Sequence, residues 1–223
     1  MDETGSLPLF PLGSVLFPGM LLPLHIFEPR YRLMVQRSLQ TDAPFGIVLI
    51  KSGMEVGGPA EPHRIGTTAR VVGTTPLPGG RSFIIARGER RFEIDRVDAD
   101  REPYLVGDVR YLEEDAGTDP GAEALADRVA DAYGQYLTGI LAMSAEAHTD
   151  LPLGQLREGS PSDVSYRIAG GLGIDATERQ RLLETASAGL RLESTLHLLE
   201  RENTLLQELI VRLRARGEGP TLN

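Results

Sequence analysis

The chain has 223 residues, of which 41% are hydrophobic and 25% are charged, as in ordinary soluble globular proteins. This length can bury a substantial core in one large domain or two small ones. The net charge of -9 argues against a nucleic-acid-binding protein, because a surface that contacts phosphates needs an excess of Lys and Arg. The absence of cysteine excludes disulfides and thiol chemistry, and it is typical of proteins in a reducing cytoplasm.

The N-terminal segment Leu7–Val35 is strongly apolar and yet contains five prolines. Proline removes a backbone donor, so the segment cannot form one membrane-spanning helix. The residues before it are acidic, whereas a secretory signal begins with Lys or Arg. We therefore predict two short buried strands, Leu7–Pro11 and Met20–Ile26, joined by a turn at Phe17–Gly19.

Short β-branched runs continue to about Leu112 and predict a mainly β domain. One helix interrupts them, starting at Pro29 and ending near Thr41-Asp42. Further strands are predicted at 45–50, 65–75, 81–87, 91–97 and 105–111, with a hairpin turn at Leu77–Gly80. Many short strands with one crossing helix indicate a compact, barrel-like sheet.

An acidic connector at 113–120 marks the predicted domain boundary, and helices follow it. The first is predicted at Gly121–Met143, with a loop at His148–Gly159 after it. Capping boxes that begin at Ser160 and Asp175 predict a short helix from Pro161 to about Gly170 and then the last and longest helix. Arginines 212, 214 and 216 near its end suit the helix dipole.

The last helix contains a heptad pattern. Leucines 192, 199, 206 and 213 recur every seven residues, and Leu196, Asn203 and Ile210 occupy the alternate seam positions. This pattern allows a dimeric coiled coil. Leucines 198, 205 and 209 broaden the apolar face, which favours packing within the chain's own helical bundle.

No catalytic or metal-binding pattern is present in the sequence. Lys51 is the only lysine, and it follows a buried-strand pattern rather than a phosphate-binding glycine loop. Histidines 25, 63, 148 and 197 are scattered without metal-ligand spacing, and His25 is expected to be a core or rim residue. A Gly-x-Ser-x-Gly elbow is also missing. We therefore predict a non-enzymatic protein without a catalytic residue, metal or cofactor.

Polypeptide binding is the more natural hypothesis, and its candidate residues lie in or beside the proline-rich turn and the first helix. They are Phe17, Met20, Tyr31, Met34 and Arg30, with Arg32 as a second charged rim residue. Flexible methionines suit a surface that accepts many apolar sequences. The alternative for the apolar four is burial in the core. An exposed edge strand could also pair with an extended client segment.

Five motifs occur in the order found in the N-terminal domain of Lon-type ATP-dependent proteases. They are the segment PLFPLGSVLFPGMLLPLHIFEPRYRLMV, Ile65–Val71, the Pro78–Gly80 turn, Ala86–Phe92 and Glu102–Leu105, and Gln180–Glu202 resembles the family's helical tail. The chain from Leu7 to about Arg216 therefore resembles this domain. The resemblance is greatest to stand-alone proteins made of that domain, so the ATPase and protease modules are expected to be absent.

The resemblance implies an α+β fold. Residues 7–113 would form a β-rich, PUA-like pseudobarrel with one crossing helix, and residues 119–216 an α-helical subdomain ending in a long helix. It also implies a cytoplasmic protein that recognises unfolded or tagged polypeptides, with a Lon-type protease as a further partner and neither nucleic acid nor membrane among its ligands. We expect a monomer or a weak homodimer through the C-terminal helix.

The sequence allows two alternatives to polypeptide recognition. A small-molecule sensor could use a groove between the pseudobarrel and the helices. RNA binding is also found among PUA-like folds, but it needs a basic, aromatic-bearing face. The net charge of -9, the absence of Trp and the 5% aromatic content disfavour RNA.

Overall fold

The computed structural model describes residues 3–58, 60–143 and 153–215. The chain divides into two compact units. The first comprises Met1–Glu114 and Gly170–Glu184, and the second comprises Asp115–Ala169 and Thr185–Asn223. The units are thus interleaved along the sequence. The two domains expected at 7–113 and 119–216 stay a prediction.

The described residues form seven strands and five α-helices. In chain order these are β1 (Thr4–Leu12), β2 (Leu21–Ile26), α1 (Pro29–Thr41), β3 (Phe45–Gly53), β4 (Ala60–Pro62), β5 (Ile65–Leu77), β6 (Arg81–Asp98), β7 (Val106–Tyr111), α2 (Ala122–Leu141), α3 (Pro161–Gly171), α4 (Ala176–Glu184) and α5 (Ala188–Ala215). Short 3₁₀ helices lie at Pro78–Gly80 and Leu153–Arg157. The mixed fold confirms the predicted α+β class.

The strands of the first unit close into a five-stranded ring. Antiparallel pairs join β1 to β7, β7 to β6, β6 to β5 and β5 to β3. The ring is completed by β1 and β3, which pair in parallel with Leu9 opposite Gly46. Strand β2 adds to β6 and β4 adds to β3, outside the ring. The predicted barrel-like sheet is confirmed.

Strand β6 corrects the sequence prediction. Two strands were expected at 81–87 and 91–97, but Arg81–Asp98 is one strand of 18 residues. It remains continuous because β5 pairs along most of its length, while β2 flanks its first half and β7 its second. The predicted hairpin turn before it is confirmed, with Gly79 and Gly80 at φ 76° and 72°.

One cluster of buried apolar side chains includes Leu7, Leu9, Val48, Phe92, Ile94 and Val109. Phe92 is fully buried. Gly46 makes room for its ring, because a Cβ at that position would lie 2.6 Å from Phe92 Cζ. Truncating a phenylalanine in such a site costs about 3–5 kcal/mol, so this aromatic ring is a main support of the sheet.

A second core lies between α1 and the sheet. Tyr31, Met34 and Val35 of α1 are buried, and the Tyr31 ring stacks on Phe10 with 4.0 Å between ring centroids. The sheet side of this core includes Ile84 and Ala86 of β6. The predicted helix boundaries are confirmed within a residue, because Pro29 suits the first turn and Asp42 ends the helix in the left-handed conformation.

In the second unit, α5 packs within the chain along part of its heptad seam. Leu192 and Leu199 are fully buried, and Leu196 is buried as well. The Asn203 Nδ2 donates to the Ala132 carbonyl of α2 at 3.0 Å. These contacts agree with the expectation, drawn from the broad apolar face of the helix, that it packs within the chain's own helical bundle. The weak homodimer stays a prediction.

The long helix predicted from Asp175 is two helices, which is a second correction. Asp175 Oδ1 accepts the Glu178 N–H at 2.9 Å and caps α4, as predicted. A new helix then begins at Ala188, where Asp115 Oδ2 accepts the Ala188 N–H at 2.7 Å and Ser187 Oγ accepts the Leu190 N–H at 3.3 Å. Each segment therefore has its own N-terminal capping groups.

The capping box at Ser160 is confirmed. Ser160 Oγ accepts the Asp163 N–H at 3.2 Å, and Asp163 Oδ2 accepts the Ser160 N–H at 2.8 Å. Of the loop predicted at His148–Gly159, residues 153–157 form the 3₁₀ helix, and 148–152 lie outside the described residues. His148, the side chain of Arg214 and all of Arg216 also lie outside them.

Candidate functional site

The candidate site is an exposed apolar face on the three-stranded section formed by β2, the first half of β6 and the end of β5. Directly paired residues of antiparallel strands point to the same face. In β2 and β6, Pro23 pairs with Ile85 and His25 with Phe83. We call the residues Leu21, Pro23, His25, Phe27, Phe83 and Ile85 the apolar sheet face.

This face is open to solvent. The exposed fractions are 53% for Leu21, 44% for Phe27, 50% for Phe83 and 44% for Ile85. The His25 ring lies 4.8 Å from the Phe83 ring and 5.5 Å from the Phe27 ring, measured between centroids. Antiparallel sheets usually present polar residues on a solvated face, so adjoining apolar groups there indicate an interaction surface.

Strand periodicity explains why these side chains point outward. Alternate residues of a strand face opposite sides, and Ile84 and Ala86 are buried in the core beneath α1. Phe83 and Ile85 must therefore face solvent.

The electrostatics of the face are locally basic, although the whole chain is acidic. The segments 21–27 and 81–88 contain no Asp or Glu, whereas Arg87 is exposed on β6. Arg87 pairs with Leu21 across the strands. These two strands thus offer no carboxylate to a bound polypeptide, so the face gives no acidic partner to its positive charges.

Strand β2 also presents a free edge in the described residues, because β6 is its only strand partner there. Pro23 in the middle of β2 cannot donate a backbone hydrogen bond, as is usual for edge strands. Its position weakens pairing with another β-strand at that edge. Side-chain contacts on the face are therefore the main interaction that this section offers.

The structure places three of the five predicted site residues in the core. Phe17 is fully buried, Tyr31 is 4% exposed and Met34 is 1% exposed. Burial raises the pKa of the Tyr31 hydroxyl above its ordinary value, which keeps that group neutral. Tyr31 and Met34 pack in the core between α1 and the sheet, while the Phe17 ring lies 5.6 Å from the Arg179 guanidinium. This burial matches the alternative that the sequence left open.

The other two predicted residues are half-buried. Met20 contacts Arg179, whose Nη2 lies 3.8 Å from the Met20 sulfur. Arg30 forms an ion pair with Glu28 at 2.9 Å and stacks over the Tyr31 ring at 4.5 Å. None of the five belongs to the apolar sheet face. Their role in polypeptide binding stays a prediction.

The sequence patterns did not point to Phe83 and Ile85, and the apolar neighbours of His25 predicted a core or rim position for it. His25 is exposed instead. The available signal was the run Phe83–Ala86, in which both alternating sets of positions are apolar. A strand of that kind is either buried on both faces or exposes an apolar face.

The described residues contain no group of three or more His, Asp or Glu side chains that could hold a metal ion. Lys51, the sole lysine, pairs with Glu61 at 2.9 Å on the surface. No helix in the described ranges combines the length and the apolar character needed to cross a membrane.

Comparison with known proteins gives a consistent family match. The family model described as the ATP-dependent protease La (LON) substrate-binding domain matches residues 6–201. The Lon protease of Xanthomonas oryzae pv. oryzae is 29% identical over 96% of this chain, and that of Methylocella silvestris is 26% identical over 87%. The chain spans only about a quarter of the length of these relatives, 25% and 24% respectively.

Solved structures agree with the family match. The Lon N-terminal domain protein from Xanthomonas campestris is 28% identical, with a TM-score of 0.64 over 86% of this chain and 98% of the other. The N-terminal domain of the Mycobacterium avium complex Lon protease shares the fold, with 19% identity and a TM-score of 0.63 over 88% and 98% of the two chains. The chain therefore belongs to the family of Lon protease substrate-binding domains.

Proposed function

We propose that this chain recognises unfolded or partner polypeptides through the apolar sheet face, without catalysing a reaction on them. The family description, substrate binding in an ATP-dependent protease, supports a role in polypeptide recognition. A Lon-type protease is the natural further partner, either as a recipient of bound clients or as a competitor for them.

The observation that carries the proposal is the cluster of half-exposed apolar side chains on the apolar sheet face. Phe83 and Ile85 are held in place by a strand whose other side is core, so the face is preformed. Unfolded chains expose apolar residues, and aromatic side chains give large contact areas with little loss of rotamer freedom. A rigid apolar face therefore fits clients that share exposed apolar segments rather than one sequence.

The absence of catalysis is part of the same proposal. The family model that matches this chain describes a substrate-binding domain, and the chain spans about a quarter of the length of its Lon protease relatives. The sequence contains no recognisable catalytic motif either. The comparisons give no support to the small-molecule and RNA alternatives.

Fluorescence anisotropy of a labelled, permanently unfolded polypeptide, reduced and carboxymethylated α-lactalbumin, tests this function. Saturable binding to the full chain is expected. The double variant Phe83→Ser/Ile85→Ser should weaken binding at least tenfold, because interface anchors of this kind contribute about 1–2 kcal/mol each.

The chain offers a matched control in Leu205→Ser/Leu209→Ser on α5. These leucines are 53% and 44% exposed, close to the 50% and 44% of Phe83 and Ile85. The control variant should bind like the wild type. An equal loss of affinity in both double variants would show general hydrophobic adsorption. An unchanged affinity in Phe83→Ser/Ile85→Ser would show that the apolar sheet face does not bind the polypeptide.

A further inference from the structure

A groove lies between α1 and the hairpin formed by β5 and β6, on the side of the hairpin opposite to the apolar sheet face. It is open to solvent and has a volume of about 740 Å³. Its apolar lining includes Leu33 and Leu39 of α1 and Leu77 of β5. Leu39 is 48% exposed, so the groove has apolar surface that no other described residue covers.

One side of the groove is a free strand edge. Strand β3 pairs with β5 only at Thr67, Thr68 and Ala69. From Arg70 to Leu77, the described residues pair β5 with β6 alone. The outer edge of this stretch therefore has backbone groups available for an added extended strand beside the apolar lining, mainly from Arg70 to Thr75, since Pro76 lacks an N–H.

Two arginines lie at the hairpin-turn end of the groove. Arg32 of α1 packs its guanidinium against Gly80, where any Cβ would collide with it. Arg81 follows Gly80 directly, and its Nε donates to the Pro78 carbonyl at 3.1 Å. Among the residues that the structure describes, neither guanidinium has a carboxylate within 4.0 Å. By contrast, Arg37 on the same helix pairs with Glu102 at 2.8 Å.

This pairing pattern favours an anionic ligand group. The chain has nine more acidic than basic residues, yet Arg32 and Arg81 remain without an acidic partner in the described part. Guanidinium groups bind carboxylates with strong, charge-assisted hydrogen bonds. The groove thus combines apolar lining, free backbone groups and two cationic side chains at one end.

We propose that this groove binds an extended polypeptide segment that carries an acidic side chain beside apolar residues. The segment adds to β5 as a strand, its apolar side chains contact Leu33 and Leu39, and its carboxylate binds Arg32 and Arg81. The apolar sheet face, without acidic residues in its strands, takes apolar segments. The groove selects acidic ones, and it does so independently of that face.

The test uses an octapeptide in which valine and threonine alternate and glutamate is the seventh residue, labelled with fluorescein at the N-terminus and amidated at the C-terminus. Anisotropy should show saturable binding to the full chain. Replacing the glutamate by glutamine should weaken binding at least tenfold. The variant Arg32→Gln/Arg81→Gln should cause a similar loss and bind the two peptides almost equally.

Further variants separate the groove from other surfaces. Leu39→Asp places a negative charge in the groove and should abolish binding, whereas Leu190→Asp, at a leucine that is 58% exposed on α5, should not change it. Arg212→Gln should also be neutral, and Phe83→Ser/Ile85→Ser should bind the peptide normally even if it no longer binds unfolded protein.

Three results would overturn the proposal. The first is equal affinity for the glutamate and glutamine peptides, and the second is unchanged affinity in Arg32→Gln/Arg81→Gln. The third concerns the source of the carboxylate. If the glutamine peptide with a free C-terminus bound as tightly as the amidated glutamate peptide, the groove would recognise a chain end rather than an acidic side chain.

Discussion

At the scale of single residues, the second unit is organised around a buried arginine. Arg191 is fully buried, and its guanidinium donates to Ser165 Oγ at 2.7 Å, Ser162 Oγ at 3.1 Å and the Thr185 carbonyl at 2.6 Å. It also lies 3.8 Å from the centre of the Tyr166 ring. The planar guanidinium satisfies several fixed acceptors at once, which an ammonium cannot do.

We expect Arg191→Lys to lower the free energy of unfolding by about 2–4 kcal/mol, because at least one buried acceptor loses its partner and the ring contact is weakened. Urea unfolding followed by circular dichroism measures this. The same exchange at Arg212, whose side chain is 75% exposed, should change stability by less than about 0.5 kcal/mol. A loss below about 1 kcal/mol for Arg191→Lys would contradict this role.

At the scale of elements, the start of α5 depends on a carboxylate that is distant in sequence. Asp115 Oδ1 accepts the Gly117 N–H at 2.9 Å, and its Oδ2 accepts the Ala188 N–H at 2.7 Å. These bonds from Gly117 and Ala188, together with the positive charge of Arg191, hold the pKa of Asp115 below its ordinary value. The connector is thereby tied to the first turn of α5.

This lowered pKa gives a pH prediction. The folded state binds the Asp115 proton more weakly than the unfolded state, so the charged carboxylate stabilises folding above the unfolded pKa of about 3.9. That stabilisation is lost as the pH falls through the lower, folded pKa. The difference in free energy of unfolding between wild type and Asp115→Asn should be constant from about pH 7 to 5 and narrow below about pH 4.

Urea unfolding across this pH range measures the difference. Asp119→Asn, at an exposed position of the same connector, serves as the control and should give a small difference at every pH. A difference for Asp115→Asn that stays constant down to pH 3 would show that the carboxylate's charge does not support the start of α5.

At the scale of the whole molecule, the proposed binding surfaces lie on the two sides of one hairpin. The apolar sheet face is on its outer side, and the groove beside α1 is on the other. The hairpin is continuous with the closed ring through the long strands β5 and β6. Recognition would thus take place on a rigid part of the first unit, without a chemical step.

We therefore expect the purified chain to leave casein intact in the presence of ATP, as judged by gel electrophoresis after prolonged incubation. The binding assays should succeed on the same preparation, which controls for correct folding. Reproducible cleavage that co-purifies with the chain and follows its concentration would contradict the non-catalytic proposal.

Much of the local structure followed from the sequence, because short-range physics decides it. Pro29 suits the first turn of a helix, the hydroxyl of Ser160 and the carboxylate of Asp175 cap backbone N–H groups, and Gly79 and Gly80 adopt positive φ in the hairpin turn. Each of these depends only on neighbouring residues. The family's motif order also predicted the fold.

The sequence could not decide which apolar residues would be exposed. Phe83–Ala86 is apolar at both alternating sets of positions, so strand periodicity alone allows either set to face the core. The packing of α1 against Ile84 and Ala86 settled this, and the same packing buried Tyr31 and Met34. Likewise, the parallel pairing of β1 with β3 and the second N-terminus at Ala188 depend on partners distant in the chain. The sequence alone determined most of the elements, the caps at Ser160 and Asp175, and the family. Only the tertiary contacts decided where α5 begins and which surface remains exposed for binding, because burial depends on what packs against each face.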